Sequence, residues 1–318
     1  MEFYHFCIIG SILVIIIAIF LLFILPYICY RKTFYSKGNK DKKFDVKNLP
    51  DQDVYNLYRD IILKDIDDVR KLKFEELQIV SFDKLNLYAK YYEYEKDSPI
   101  EIMFHGYRGN SERDLSTGVK RAFKCGRSVV LVDQRASGKS DGHTISFGIH
   151  ERIDCLYWAR YVSEKFGSER KIILTGISMG AATVLMASTL DLPENVVGIL
   201  SDCSYNMPKD IIMKVVKDMM LPPKLVYPFI KLGARMYGNF NLEEASPIES
   251  VAKTKLPIIF YHGTNDDYVP CNMSEKLFKE CQSNKRIVTI DKGLHGTSYL
   301  TDPNKYLDEL IDFFKNIQ

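Results

Sequence analysis

Hydrophobic positions divide the chain into an apolar N-terminal run and a longer region of alternating apolar and amphipathic segments. Residues 3–30 contain no Asp, Glu, Lys or Arg, and about 20 such residues span the hydrocarbon core of a bilayer as a helix. A cleaved signal peptide would need a basic start, a shorter apolar core and a small-residue cleavage site. The segment lacks these features, so we expect residues 1–30 to form a retained transmembrane anchor.

Basic residues are distributed unequally around this run. No Lys or Arg precedes it, whereas six fall within residues 31–43. Basic flanks stay on the cytoplasmic side of a membrane, so we expect a single-pass protein whose C-terminal domain faces the cytoplasm. Seven scattered cysteines agree with a reducing compartment. Residues 31–50 are polar and basic and are predicted to form a juxtamembrane linker.

Residues 51–318 have the pattern of one α/β domain. A helical periodicity covers residues 51–69, and continuous apolar strands such as IEIMFH and KIILTGI then alternate with helical segments. This pattern predicts a mostly parallel sheet with helices on both faces. A long insertion at about 203–255 is predicted to form a small helical lid. Because the candidate site residues all lie beyond Asp51, we expect a chain that starts there to be soluble and active.

Composition argues against several classes of function. The chain has 43 basic and 41 acidic residues and a formal net charge of +2, which suggests no nucleic-acid partner. It contains no CxxC motif and no Cys/His cluster, so we expect no metal site.

Two candidate groups follow predicted strands, where parallel α/β sheets bind their ligands. Ser178 lies in GISMG, directly after a strand and at the start of a helix. The flanking glycines relieve crowding around a strained nucleophile, and a helix N-terminus favours developing negative charge. The segment HGYRGN ends an earlier strand, so the backbone N–H groups of Tyr107 and Met179 are candidate donors to a substrate carbonyl oxygen.

Two later loops supply candidates for the acid and the base. HGTNDDYVP follows the strand LPIIFYH and offers Asp266 and Asp267, and GLHGTSY follows the last strand and offers His295. Each residue taken alone has an ordinary explanation, as a turn cap or a surface histidine. The order Ser, Asp, His, with each residue on a loop after a strand, matches an acyl-transfer triad.

Together these motifs resemble the serine hydrolases of the α/β-hydrolase superfamily, over roughly residues 72–318. The segments DQRASGKSDGHTISFG and ERIDCLYWARY also resemble a membrane-anchored bacterial subgroup grouped with the serine aminopeptidase-like hydrolases. The resemblance implies the α/β-hydrolase fold and implies Asp266 rather than Asp267 as the triad acid. It leaves Asp202 as an alternative, because some members carry the acid after the preceding strand.

The expected reaction follows from these groups. His295 takes the proton of Ser178 during attack, while Asp266 fixes the imidazole tautomer and stabilises its cation. An acyl-enzyme forms and water hydrolyses it, without a metal or an organic cofactor. An apolar lid beside a membrane anchor favours acyl or lipid-like esters or thioesters as substrates, unless the lid residues serve only for packing. A peptidase and a non-catalytic, membrane-tethered binding module remain as alternatives.

Overall fold

The computed structural model describes residues 2–38 and 53–315. The chain starts with a helix made of α1 (Glu2–Ile19), a π-helical turn (Phe20–Ile24) and α2 (Leu25–Thr33). Within the described residues, one helical stretch, Tyr4–Thr33, is long and apolar enough to cross a membrane. The most apolar part of this stretch is not buried by the rest of the protein, which agrees with the predicted anchor.

Within residues 53–315, eight strands form one sheet. The strands are β1 (Glu75–Val80), β2 (Asn86–Tyr92), β3 (Ile100–Phe104), β4 (Ser128–Asp133), β5 (Ile172–Ile177), β6 (Val196–Asp202), β7 (Ile258–Gly263) and β8 (Lys285–Ile290). Their order is β1-β2-β4-β3-β5-β6-β7-β8. The pairs β1–β2 and β2–β4 are antiparallel and the other pairs are parallel, so the predicted fold class is confirmed.

Helices cover both faces of this sheet. They are α3 (Asp53–Arg70), α4 (Ser111–Lys124), α5 (Glu151–Phe166), α6 (Met179–Ala187), α7 (Pro208–Asp218), α8 (Pro223–Tyr237), α9 (Pro247–Val251), α10 (Asn272–Glu280), α11 (Ser298–Thr301) and α12 (Pro303–Phe314). Phe104 of β3 shares a buried cluster with Trp158 of α5 and Val184 of α6. The preceding residue, Met103, shares another cluster with Val119 of α4, because successive strand side chains point to opposite faces.

The insertion at 203–255 contains α7 and α8, here called the lid helices. Ile211 and Ile230 are buried in a cluster that includes Met179, the first residue of α6. These residues therefore pack the lid onto the rest of the domain. Packing is one of the two interpretations of the lid's apolar pattern, and a preference for acyl or lipid-like substrates is the other. Met220, in the turn between the lid helices, is 91% exposed.

The end of the apolar helix packs against the lid. Phe34 is fully buried, and its ring lies 5.1 Å from that of Phe240. Tyr30 is also buried. A Cβ atom at Gly233 of α8 would lie 2.4 Å from the carbonyl oxygen of Pro26, so α2 and α8 approach each other more closely than a larger residue would allow.

This packing changes the boundary expected for the juxtamembrane linker of residues 31–50. The helix runs on to Thr33, and Tyr35 then forms a β-bridge with Thr144. The first part of this segment belongs to the domain because its aromatic side chains find apolar partners there. Residues 39–50 lie outside the described part of the chain. A chain that starts near Asp51, which the sequence predicts to be soluble and active, would lack these contacts.

Candidate active site

Ser178 occupies a sharp turn between β5 and α6. Its backbone has φ 56° and ψ −116°, a conformation that is strained for any residue with a side chain and typical of a nucleophile at a strand-to-helix turn. The flanking glycines are required by sterics. A Cβ at Gly176 would lie 2.2 Å from the backbone carbon of Gly180, and one at Gly180 would lie 2.0 Å from the carbonyl oxygen of Phe104.

The structure brings Ser178, His295 and Asp266 into one hydrogen-bonded chain. Nε2 of His295 lies 2.9 Å from Oγ of Ser178, and Nδ1 of His295 lies 2.7 Å from Oδ2 of Asp266. Because a carboxylate only accepts, Nδ1 carries the hydrogen, which leaves Nε2 free to accept the serine proton. The loops after β5, β7 and β8 thus converge at one edge of the sheet, as expected for a parallel arrangement.

The carboxylate of Asp266 is held by backbone and side-chain donors. The N–H groups of Tyr268 and Val269 donate to Oδ1 at 3.0 and 2.8 Å. Nε2 of His262 lies 3.2 Å from Oδ2. Burial acts to raise the pKa of Asp266, but the hydrogen bonds from His262 and His295 outweigh it and lower this pKa to about 2.

His262 was missed in the sequence analysis. It is fully buried, with Nδ1 2.6 Å from Oγ of Ser274 and Nε2 2.7 Å from the carbonyl oxygen of Val269. A carbonyl oxygen only accepts, so Nε2 carries a hydrogen that also faces Asp266. The available signal was the histidine that precedes glycine in YHGTND, at the end of an otherwise apolar strand.

The other two candidate acids are not the hydrogen-bond partner of His295 Nδ1. Asp267 is exposed, next to Asp266 in the chain. Asp202 is buried, and its carboxylate accepts hydrogen bonds from Ser298 Oγ at 2.8 Å and from the Tyr306 hydroxyl at 3.2 Å. Burial raises the pKa of Asp202. The carboxylate that faces His295 is that of Asp266.

The two predicted oxyanion donors lie on segments next to the serine. Met179 is the first residue of α6, where an N–H has no partner within the helix. A Cβ at Gly106 would lie 3.6 Å from the Cβ of Ser178, so the turn that carries Tyr107 passes close to the serine. The Tyr107 hydroxyl donates to the carbonyl oxygen of Thr33 at 2.5 Å, which ties this turn to the end of the apolar helix.

One group of side chains near the serine has the ligand types of a metal site. Cys203, Asp266 and His295 offer ligand atoms within 4.8 Å of one another. Asp266 and His295 already share a hydrogen bond, which a metal would break. Burial raises the pKa of the Cys203 thiol well above its ordinary value, which opposes the thiolate form that metals bind.

A cavity of about 640 Å³ opens beside Ser178 and His295. It is lined by one side of α4, by residues between Gly296 and Tyr306, and by Ile62 of α3. Within the described residues, neither lid helix lines it. Its volume is typical of a pocket for a small molecule.

Comparison with known proteins supports this architecture. The model of the prolyl oligopeptidase family matches residues 146–318. The uncharacterised protein YqkD of Bacillus subtilis is 24% identical over 266 residues, which are 81% of this chain and 87% of YqkD. The uncharacterised membrane protein YNL320W of Saccharomyces cerevisiae is 24% identical over 252 residues, 78% of this chain and 82% of that protein.

Solved structures show the same fold. The esterase Pf2001 of Pyrococcus furiosus superposes with a TM-score of 0.64 at 18% identity, over 80% of this chain and 93% of the esterase. The acylaminoacyl peptidase of Pyrococcus horikoshii superposes with a TM-score of 0.56 at 20% identity, over 78% of this chain and 42% of the peptidase. These similarities confirm the α/β-hydrolase fold, while the serine aminopeptidase-like subgroup stays a prediction.

Proposed function

The chain belongs to the prolyl oligopeptidase family of hydrolases, and from this premise we propose that it is a serine hydrolase that cleaves carboxylic esters or thioesters. The observation that carries the proposal is the hydrogen-bonded chain from Asp266 through His295 to Ser178, with distances of 2.7 and 2.9 Å. Acyl transfer by serine requires a carboxylate, an imidazole base and a serine hydroxyl that are joined by hydrogen bonds in this order.

In the proposed reaction, Oγ of Ser178 attacks the substrate carbonyl carbon while its proton passes to Nε2 of His295. The oxyanion that forms accepts hydrogen bonds from the N–H groups of Tyr107 and Met179. Collapse of this intermediate breaks the ester bond, and His295 protonates the departing alkoxide or thiolate. Water then attacks the acyl-enzyme by the same steps and regenerates the serine.

Asp266 has two tasks in this cycle. Its hydrogen bond to Nδ1 of His295 keeps Nε2 as the proton acceptor. Its pKa of about 2 keeps the carboxylate ionised at neutral pH, so it stabilises the imidazolium that forms after proton transfer. His262 supports Asp266 from the other side and is a positioning residue.

A peptidase is the second candidate, and the match to the prolyl oligopeptidase family favours it. The same acyl-enzyme chemistry cleaves amides. Turnover of an aryl ester and of the anilide with the same acyl group separates the two candidates. A higher kcat/KM on the anilide would favour the peptidase.

We also propose that the protein is a single-pass membrane protein with a cytoplasmic hydrolase domain and a lipid-like ester substrate. The apolar helix Tyr4–Thr33 supports the anchor. The six basic residues within 31–43 support the orientation. The yeast relative YNL320W is described as a membrane protein.

A fluorophosphonate probe tests the proposed chemistry directly. The full-length protein in detergent should be labelled at Ser178, and Ser178→Ala should lose labelling and about 10⁴-fold or more of its ester turnover. The exposed Ser168 provides the matched control, since Ser168→Ala should behave like the wild type. Equal labelling of Ser178→Ala would disprove the mechanism, and no labelling of the wild type would favour a binding module.

A further inference from the structure

We propose that the cavity beside Ser178 binds an uncharged, largely apolar arm of the ester, and that Ile62 of α3 limits the size of that arm. This inference rests on the proposed ester hydrolysis and names the class of ester. It assigns a substrate-binding role to a helix that precedes the sheet.

Two of the three arginines in the wall of the cavity have acidic partners. Arg121 pairs with the fully buried Glu101, with Nη2 2.5 Å from Oε2. Arg113 pairs with Asp114 at 2.5 Å. A charged substrate group would have to separate such a pair, which leaves a buried ion uncompensated.

The remaining charged groups of the wall are also hydrogen-bonded within the protein. Asp202 accepts from Ser298 and Tyr306. Arg108 donates to the carbonyl oxygens of Lys32 and Tyr35 at 2.7 and 3.2 Å. Arg108 is exposed and has only hydroxyl and carbonyl partners. At Arg113, Arg121 and Asp202, in contrast, a charged group on the substrate would have to displace an existing partner, and these three residues favour an uncharged arm.

Apolar side chains complete the wall. Leu115 of α4, Ile177 before the serine, Leu300 of α11 and Ile62 of α3 line the cavity. Burying the apolar part of a substrate against such side chains contributes about 25 cal/mol per Å² of apolar surface removed from water. The chemistry of the wall thus fits an alkyl or alkenyl chain better than a peptide terminus.

Helix α3 is fixed in place at this wall. Asp65 accepts hydrogen bonds from Thr117 at 2.8 Å and from Lys120 at 2.7 Å, both on α4. The hydroxyl of Tyr58 lies 2.9 Å from Oγ1 of Thr301, the last residue of α11. Helix α3 is held against both sides of the cavity. A larger side chain at position 62 therefore leaves less space for the substrate, and a smaller one leaves more.

Short-chain and long-chain alkyl fluorophosphonates test this inference on the full-length protein in detergent. We expect Ile62→Trp to lower the ratio of long-chain to short-chain labelling rates by roughly tenfold or more. The neighbouring Ile61 is 49% exposed and does not line the cavity, so Ile61→Trp should leave the ratio unchanged. An unchanged ratio in Ile62→Trp would overturn the inference.

A second variant covers the case in which tryptophan disturbs folding and lowers both rates equally. Ile62→Ala should raise the ratio, and an unchanged ratio would again overturn the inference. Faster labelling by a probe with a terminal carboxylate than by its uncharged analogue would also overturn it. If labelling requires Ser178 but its rate ratio does not change with the residue at position 62, this inference is wrong and the proposed function stands. Labelling that persists in Ser178→Ala contradicts the proposed function itself.

Discussion

The hydroxyl of Tyr107 donates a hydrogen bond to the backbone carbonyl oxygen of Thr33 at 2.5 Å. Thr33 is the last residue of the apolar helix, and Tyr107 lies on the turn beside the proposed nucleophile. Arg108 adds hydrogen bonds to the carbonyl oxygens of Lys32 and Tyr35. The end of the proposed membrane anchor therefore contacts the turn that is proposed to bind the oxyanion.

Tyr107→Phe tests this contact. The substitution removes the hydroxyl, which donates to Thr33 and accepts from Nε of Arg108, but keeps the backbone N–H. We therefore expect kcat to fall by roughly threefold to tenfold. KM should change little. Tyr237→Phe is the matched control, because it also removes a hydroxyl bonded to this helix, at the carbonyl oxygen of Phe23. Equal effects of the two substitutions on kcat would show that the contact has no special role at the site.

Removal of the N-terminal segment should damage the domain. A chain that starts at residue 51 lacks the fully buried Phe34 and the buried Tyr30. Loss of one large buried aromatic side chain typically costs about 3–5 kcal/mol of unfolding free energy. We expect this shortened chain to have a lower Tm and slower probe labelling than a chain that starts at residue 20. Equal Tm values and labelling rates would show that the packing is dispensable.

Asp266→Asn and Asp267→Asn separate two neighbouring acids. Asparagine at 266 cannot keep the required tautomer of His295, so we expect kcat to fall by about 10⁴-fold. Asp267 is exposed, and its substitution should change kcat less than about threefold. Steady-state ester hydrolysis measures both. A severe loss in Asp267→Asn would contradict the proposed acid, and full activity in both variants would favour Asp202.

Acid should destabilise the fold through Glu101. Burial acts to raise its pKa, but Arg121 and Arg127 outweigh burial and lower it to about 2, from an ordinary value of 4.5. The stabilisation is present above pH 4.5 and is lost as the pH falls towards 2. Glu101→Gln removes the acidic partner that Arg121 and Arg127 share, so it should cost about 3–5 kcal/mol at pH 7.

Denaturant unfolding at several pH values checks this expectation. The difference in unfolding free energy between wild type and Glu101→Gln should shrink between pH 4.5 and pH 2. The control is Glu76→Gln, because Glu76 pairs with Lys139 at the surface, where both side chains are about half exposed. That variant should lose less than about 1 kcal/mol. A pH-independent difference for Glu101→Gln would contradict the assignment.

Topology can be tested in intact cells. The full-length protein should sediment with membranes, because about 20 apolar residues suffice to hold a helix in lipid. Protease added outside intact cells should spare the domain, and lysis should make it sensitive. Digestion in intact cells would reverse the proposed orientation without affecting the proposed chemistry.

The sequence by itself determined the features that depend on local pattern. The length of the apolar run predicts a spanning helix, because hydropathy and helical rise are local properties. The alternation of apolar strands and helices predicts a parallel sheet, and parallel strands bring the loops of Ser178, Asp266 and His295 to one edge. The two glycines around Ser178 also mark the turn, because sterics at that turn exclude larger residues.

The tertiary structure alone decided which side chains meet across long separations. Asp266 and Asp267 are adjacent in the chain, and only the loop conformation buries the first against His295 and leaves the second exposed. The contact between Tyr107 and Thr33 joins residues that are 74 positions apart. Ile62 reaches the cavity wall through the packing of α3 on α4. Such contacts depend on how the whole chain folds, and neither hydrophobic periodicity nor a short motif predicts them.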